Sequence, residues 1–410
     1  MSGATPSRGR LARRSVGLLV SCARVLVASG VLAVRRRSGA TDALALVLWE
    51  AGPAFVKLGQ LASTRRDVLP DVVCAALERA LARGGAASGA DSPGIEHGSV
   101  ATVVKREHPD GPRAIKTLRA DAAQALRTDV HLVSSLARAA RTAMPWLRAP
   151  VLELLQDLCV IVLGQLDLRR EGRTLTELQR LEEGLPVRLP RVIEAESDDE
   201  HLVMEWLEGQ DDPVEETFAQ RRHQAQTLTR AVFEMVFRSG LVHCDLHPGN
   251  WWLLPDGRLA IVDAGFSYRI DDETRLGFAD FFYGVVSDDP ELCADRALSA
   301  SSRTLTPDAE AAFRREMAVL VSEMTGLRAR DFSLVAFAGR LFALQRRYGA
   351  YADTGFILPL TALLAIEGQV KSLDPTLDSQ SFAGPIILAA RAERRHRDAA
   401  LLTTSGGGDD

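Results

Sequence analysis

Little freedom of fold is left to a chain that carries Leu241-Val242-His243-Cys244-Asp245-Leu246-His247-Pro248-Gly249-Asn250 and then Leu259-Ala260-Ile261-Val262-Asp263-Ala264-Gly265. The stretch has the form H-x-D-x-x-x-x-N, an apolar strand, then D-x-G. Phosphoryl transfer uses these residue types at this spacing. One carboxylate orients or deprotonates the acceptor, while an amide oxygen and a second carboxylate hold magnesium against the phosphates of a nucleotide. Asp245, Asn250 and Asp263 fit those three roles, with His243 completing the catalytic set. Pro248-Gly249 predicts a tight loop that turns Asn250 back toward Asp245. Trp251 to Leu254, the turn Pro255-Asp256-Gly257 and Leu259 to Val262 read as a hairpin delivering Asp263 to the site. A lone H-x-D is common in surface loops, but here the hairpin supplies the context the motif needs.

The segment upstream carries matching chemistry. Gly94 to Lys105 reads as strand, tight turn, strand; Asp110-Gly111 makes the next turn; Arg113 to Leu118 is a third strand bearing Lys116. An ammonium there neutralises alpha and beta phosphates. Backbone N–H groups of Gly98, Ser99 and Val100 at the first turn can approach the same phosphates. Ala120 to Glu183 is helical by period with a break near Pro145 and Pro150. The helix read from Leu152 places Asp167 and Glu171 on one face, and Glu171 is the candidate partner that positions Lys116. Leu189 to Ile193 and His201 to Gly209 read as strands leading to a hinge, where the backbone of Glu205 to Leu207 would meet adenine. Val214 to Arg238 reads as a long helix stopped by Ser239-Gly240. Later helices are predicted at 274–286, near 290–300, and at 307–325, 331–347 and 358–370, with a disordered tail from Thr403.

Before these elements, Leu44 to Leu48 and Ala54 to Leu61 read as helical, with Lys57 and Gln60 on one side, and Arg83 to Pro93 as a flexible linker. Residues 1–41 carry eight arginines and no acid, although the whole chain has a net charge of -5. A basic arm on an acidic body points to an anionic partner, and with no aromatics among the arginines a membrane surface fits better than nucleic acid. Ser15 to Val34 is apolar with Arg24 at its centre. That charge argues against a membrane span and for a helix lying on a membrane surface or docked on the protein's own body. The five cysteines are scattered with no C-x-x-C pair, which points to a reducing compartment and away from a zinc site. Cys244 reads as a packing residue.

Lys57-x-Gly59-Gln60, Lys116, Glu171, H-x-D-x-H-P-G-N and D-x-G occur in order. With Phe55-Val56-Lys57-Leu58-Gly59-Gln60-Leu61-Ala62-Ser63-Thr64-Arg65 and the late stretch Gly355 to Pro375, the chain resembles the UbiB/ADCK (AarF-type) family of atypical protein-kinase-like proteins over roughly residues 45 to 375. The resemblance implies an α+β, two-lobed protein-kinase-like fold with an N-terminal helical extension. The divisions it suggests are a basic arm (1–41), the extension and linker (42–93), an N-lobe (94–208), a C-lobe (209–375) and a tail (376–410). It also implies ATP or ADP with Mg2+ as cofactors, and isoprenoid-quinone or other lipid metabolism at a membrane, peripheral on the cytoplasmic side. Lys57 and Gln60 would cover the substrate site, with Asp167 pairing Lys57. Three departures stand out: Gln165 replaces the first carboxylate of the family's E-x-D, Glu96-His97-Gly98-Ser99 replaces its alanine-rich loop, and the segment between Pro70 and Gly94 is short. An ATPase or lipid kinase is the leading expectation. The alternatives are a small-metabolite or antibiotic phosphotransferase, against which the K-x-G-Q helix argues, and a nucleotide-sensing scaffold.

Overall fold

The computed structural model describes residues 9, 52–66, 69, 71–84, 95–97, 100–143, 149–209, 216–301, 303–325 and 333–405. Expectations for the basic arm, for Leu44 to Leu48 and for 85–93 lie outside these. The chain packs as two units, Met1–Arg173 with Arg191–Trp206, and Thr174–Pro190 with Leu207–Asp410.

The first unit is built on a four-stranded antiparallel sheet of β1 (Ile95–His97), β2 (Ala101–Arg106), β3 (Arg113–Leu118) and β5 (His201–Glu205), in that order across the sheet. The β2–β3 hairpin turns at Gly111, whose N–H donates to the His108 carbonyl at 3.0 Å. Four helices accompany the sheet: α1 (Pro53–Thr64), α2 (Asp71–Gly84), α3 (Ala120–Ala143) and α4 (Ala149–Gly164). Pro53 opens α1, where its missing N–H costs nothing. α1 packs on α2, α3 and α4. Helix α2 is an addition to the elements expected from the sequence, and it runs through Arg83, the first residue of the expected linker.

Two boundaries differ from expectation for clear reasons. The helix read from Leu152 through Gly172 is broken: α4 stops at Gly164 and α5 (Leu168–Leu178) starts afresh. Asp167 causes the restart, because its carboxylate accepts the Arg170 N–H at 2.9 Å in the manner of a helix cap. The strand expected at Leu189 to Ile193 is instead β4 (Val187–Arg188), with only Val192 bridging to Met204. Pro190 has no N–H to give, and the Leu189 N–H is taken by the Glu182 carboxylate at 2.9 Å.

The second unit is mainly helical. Its strands are β4, β6 (Leu241–His243), β7 (Trp251–Leu253), β8 (Leu259–Ile261) and β9 (Ser267–Arg269). β7 and β8 form the expected hairpin, β4 runs parallel to β8, and β6 pairs antiparallel with β9. Around them pack α6 (Phe218–Phe233), α7 (Asp272–Ser287), α8 (Pro290–Ser299), α9 (Pro307–Thr325), α10 (Leu334–Tyr348), α11 (Thr354–Leu373) and α12 (Gln380–Ser405). Local signals set their starts: a Thr217/Gln220 capping box for α6, and Asp271, Asp289, Ser333 and Asp353 caps for α7, α8, α10 and α11. Helix α12 reaches Ser405, so the disorder expected from Thr403 is corrected over its first three residues. The core centres on stacked and edge-on rings of Phe237, Phe278, Phe281, Phe282 and Phe356, with centroids 5.0–5.8 Å apart.

The helix expected from Val214 to Arg238 begins at Phe218 and ends in a π-helical turn, Glu234–Ser239. Gly240 then reverses the chain with φ 64° and feeds β6. A Cβ at Gly240 would lie 3.1 Å from the Ile270 carbonyl and 3.2 Å from Arg275 Cδ, and Arg275 is itself pinned by a 2.7 Å bond to the Phe237 carbonyl. Gly240→Ala should therefore lower stability by about 1–3 kcal/mol. Urea unfolding reads this directly, and an unchanged midpoint contradicts it.

Candidate active site

In the first unit, Lys116 sits mid-strand on β3 between Val103 of β2 and Leu202 of β5. Its Nζ lies 2.7 Å from Glu171 Oε1, with side chains 9% and 2% exposed. A pair this buried holds its geometry, since losing either partner strands a charge in a poorly solvated place. Glu171 reaches the sheet because its neighbour is Gly172. A Cβ there would come within 3.1 Å of Leu202 Cδ1, so glycine lets α5 lie close against β5. The sequence pattern assigns Gly172 no such role, since a missing side chain leaves no periodic signal.

Other expected residues of this unit are less engaged. Asp167, expected to share a helix face with Glu171, stands outside α5 and caps it; its carbonyl accepts the Glu171 N–H at 3.0 Å. The backbone of Lys57 lies on α1, and Gln60 is exposed on the same helix. Gly98 and Ser99 are outside the described residues, and Val100 precedes β2, its carbonyl taking the Arg119 N–H at 2.9 Å. At the hinge, the Glu205 and Trp206 N–H groups donate to Arg191 (2.8 Å) and Pro112 (3.1 Å) carbonyls. Leu207 belongs to the second unit and packs with Leu254 and Ala260.

The second unit gathers His243, Asp245, Asn250 and Asp263 through backbone bonds. Cys244 N–H donates to the Phe266 carbonyl at 2.9 Å, continuing the β6–β9 pairing into the loop. The Asp245 carbonyl accepts the His247 N–H at 2.9 Å and the Asn250 Nδ2–H at 2.7 Å. Asn250 is thus turned back toward Asp245, as Pro248-Gly249 predicts. The Asn250 carbonyl in turn accepts the Val262 N–H at 2.9 Å, joining the loop to the segment entering Asp263. Asp263 has φ 54°, a left-handed conformation costly for any side chain but glycine, and its Oδ1 accepts the Gly265 N–H at 3.3 Å. Backbone strain of this kind is maintained where a side chain must point in one particular direction.

His243, expected among the catalytic groups, is held against the backbone of the loop. It is buried, its Nε2 lies 3.0 Å from the Val262 carbonyl, and its Nδ1 accepts the Asp245 N–H at 3.2 Å. Both nitrogens are spent on backbone, and burial pushes the imidazole pKa down, so the ring stays neutral with its proton on Nε2. Cys244 agrees with the packing reading: burial, and after it the nearby Asp245, push its thiol up to about 12.

The donor set for a metal is oxygen-rich. With the Asn250 nitrogen committed to Asp245, the group the amide still presents is its oxygen, and Asp263 adds a carboxylate. Amide and carboxylate oxygens suit magnesium, which keeps waters and phosphate oxygens as its other ligands. Among the described residues no cluster of three or more His, Cys, Asp or Glu side chains suggests a softer metal.

One residue of the site is invisible to sequence reasoning. Gln369 of α11 accepts the Trp251 indole N–H at 2.7 Å and donates from Nε2 to the Leu246 carbonyl. It clamps the start of β7 and the middle of the loop to one helix. A glutamine more than a hundred positions away in sequence gives no local sign of such a contact. Gln369→Leu should leave both partners unsatisfied and cost about 1–3 kcal/mol. The fall is expected in the thermal midpoint of the purified protein, and an unaltered midpoint would show that the clamp carries no stability.

A model of the ABC1 atypical kinase-like domain matches residues 91–297. The probable protein kinase UbiB of Xanthomonas campestris pv. campestris is 28% identical over 395 residues, covering 86% of this chain and 70% of that protein. The protein of the same name from Xanthomonas oryzae pv. oryzae is 28% identical over 411 residues, 90% of this chain and 72% of its own. That of Xylella fastidiosa is 27% identical over 391 residues, 86% and 70%. Among solved structures, Rv3197 of Mycobacterium tuberculosis in complex with erythromycin covers 72% of this chain and 79% of its own, at 22% identity and a TM-score of 0.41. The matched domain takes in Lys116, Glu171 and all of His243 to Asp263, and with the UbiB-named relatives it places this chain in the ABC1 atypical kinase-like family.

Proposed function

We propose that this protein transfers the terminal phosphoryl group of ATP, to water or to a small-molecule or lipid acceptor, at a membrane surface. The observation that carries the reading is the hydrogen-bonded loop that presents Asp245, the Asn250 amide oxygen and the Asp263 carboxylate. The buried Lys116–Glu171 pair supports it from the first unit. In this reading Lys116 binds phosphate oxygens and Glu171 keeps its ammonium in place. Asn250 and Asp263 would hold magnesium, which supplies charge neutralisation at the phosphates. Asp245 orients the acceptor hydroxyl or water and takes its proton. The Glu205 and Trp206 N–H groups are bonded to the Arg191 and Pro112 carbonyls, so adenine would meet other backbone groups of Glu205 to Leu207. Lys57 and Gln60 on α1 restrict which acceptor can enter, and the basic segment 1–41 supplies attraction to anionic lipid.

Magnesium-dependent ATP hydrolysis by the full chain, with and without anionic liposomes, tests the assignment. Asp263→Asn should abolish turnover, and Asp245→Asn should lower it by about 10²–10⁴-fold. Wild-type rates in either variant would refute these roles. Deleting residues 2–41 should weaken co-sedimentation with phosphatidylserine vesicles, most at low salt; unchanged sedimentation would exclude the arm from membrane binding.

A further inference from the structure

The second unit has a partly open cavity of about 370 Å³ among α6, α7, α11 and α12, apart from the loop that carries Asp245 and Asn250. Its inner wall is Phe233, Phe237, Phe282, Leu363, Ile366 and Val370. The Thr229 hydroxyl, also on the wall, is spent on the Ala225 carbonyl at 2.7 Å. A space lined this way gives water few partners, so it favours hydrocarbon over solvent. Its size falls at the small end of the roughly 300–1,000 Å³ usual for ligand sites, which suits one chain better than a bulky ring system.

One wall of the space is left without a side chain. Gly384 lines it from inside α12, where glycine costs a helix about 1 kcal/mol relative to alanine. A Cβ built at Gly384 meets no atom of another segment within 4 Å, while Pro385, next in the helix, crowds any side chain placed before it. Space beside this wall is thus left unfilled by α12. The rim has a different character. Lys371 is 53% exposed there, its Nζ 2.6 Å from Glu367 Oε1. Glu367 also accepts the Leu334 and Val335 N–H groups at 3.2 and 2.8 Å, at the positive end of α10. Its charge is therefore compensated without Lys371, which can turn to an incoming anion.

We propose that this cavity binds a single-chain fatty acid, with its hydrocarbon tail among the phenylalanines and its carboxylate at Lys371. The site is independent of the phosphoryl-transfer reading, and binding alone tests it. The probe is dodecanoate, titrated calorimetrically into the full-length protein below its micellar concentration, beside dodecanol. One saturable site is expected, with dodecanol at least several-fold weaker. Gly384→Leu fills the space, so a variant that remains folded by circular dichroism should bind dodecanoate at least tenfold more weakly. Lys371→Gln, a change at an exposed position, should weaken dodecanoate several-fold and leave dodecanol unchanged. Absence of saturable binding, or a folded Gly384→Leu protein that binds as well as wild type, overturns the site. Equal affinity for dodecanol and dodecanoate overturns the carboxylate assignment.

Discussion

The candidate site hangs on a buried imidazole bonded to backbone on both sides. His243 takes the Asp245 N–H on Nδ1 and meets the Val262 carbonyl through Nε2, so one flat ring fixes the two backbone segments that present Asp245 and Asp263. The arrangement works only for the neutral ring with its proton on Nε2. A proton on Nδ1 would face another donor, the Asp245 N–H, and the loop would lose its anchor. Burial secures the required state by disfavouring the cation, although Asp263 and Asp245 pull in the opposite direction. Desolvation wins because the ring is 1% exposed and its neighbours within bonding distance are backbone groups.

Much of this was legible in the sequence because it is local. Turn residues at Pro248-Gly249 and Asp256-Gly257 and the apolar runs beside them define a hairpin, and the hairpin fixes the spacing from Asn250 to Asp263. The same holds for Lys116, where the strand–turn–strand order and the Asp110-Gly111 turn locate β3. What escaped was decided by contacts between distant segments. Gly172 matters for the Leu202 side chain it does not touch, and Gln369 for two partners far back in the chain. The break before α5 was missed for a different reason. Periodicity runs smoothly through Gln165 to Asp167, and the stop at Gly164 and the Asp167 cap are single-residue signals that a helical pattern masks.

The departure at Gln165 takes on a different meaning with that break in place. In the sequence it looked like a weakened carboxylate pair on one continuous helix. In the structure Gln165 and Asp167 occupy the turn between α4 and α5, and Asp167 already serves the Arg170 N–H. A carboxylate that caps a helix through one oxygen has a second oxygen to offer, so capping and pairing with a lysine are compatible. Asp167 therefore needs no partner at position 165 to be held in place.

Helix α11 shows how one stretch of sequence can support incompatible readings. By length and apolar composition it would cross a membrane. Yet it carries Asp353 as its cap, Glu367 bonded to the start of α10, and Gln369 bonded to the loop, all within the second unit. Those polar groups would be stranded in lipid, whereas in a packed core each has a partner. The apolar residues between them serve the phenylalanine core on one side and the cavity wall at Ile366 and Val370 on another. Gln369 sits about 100° round the helix from Val370. The same turn of α11 thus faces both the apolar cavity and the loop that presents Asp245, and its position is constrained by both.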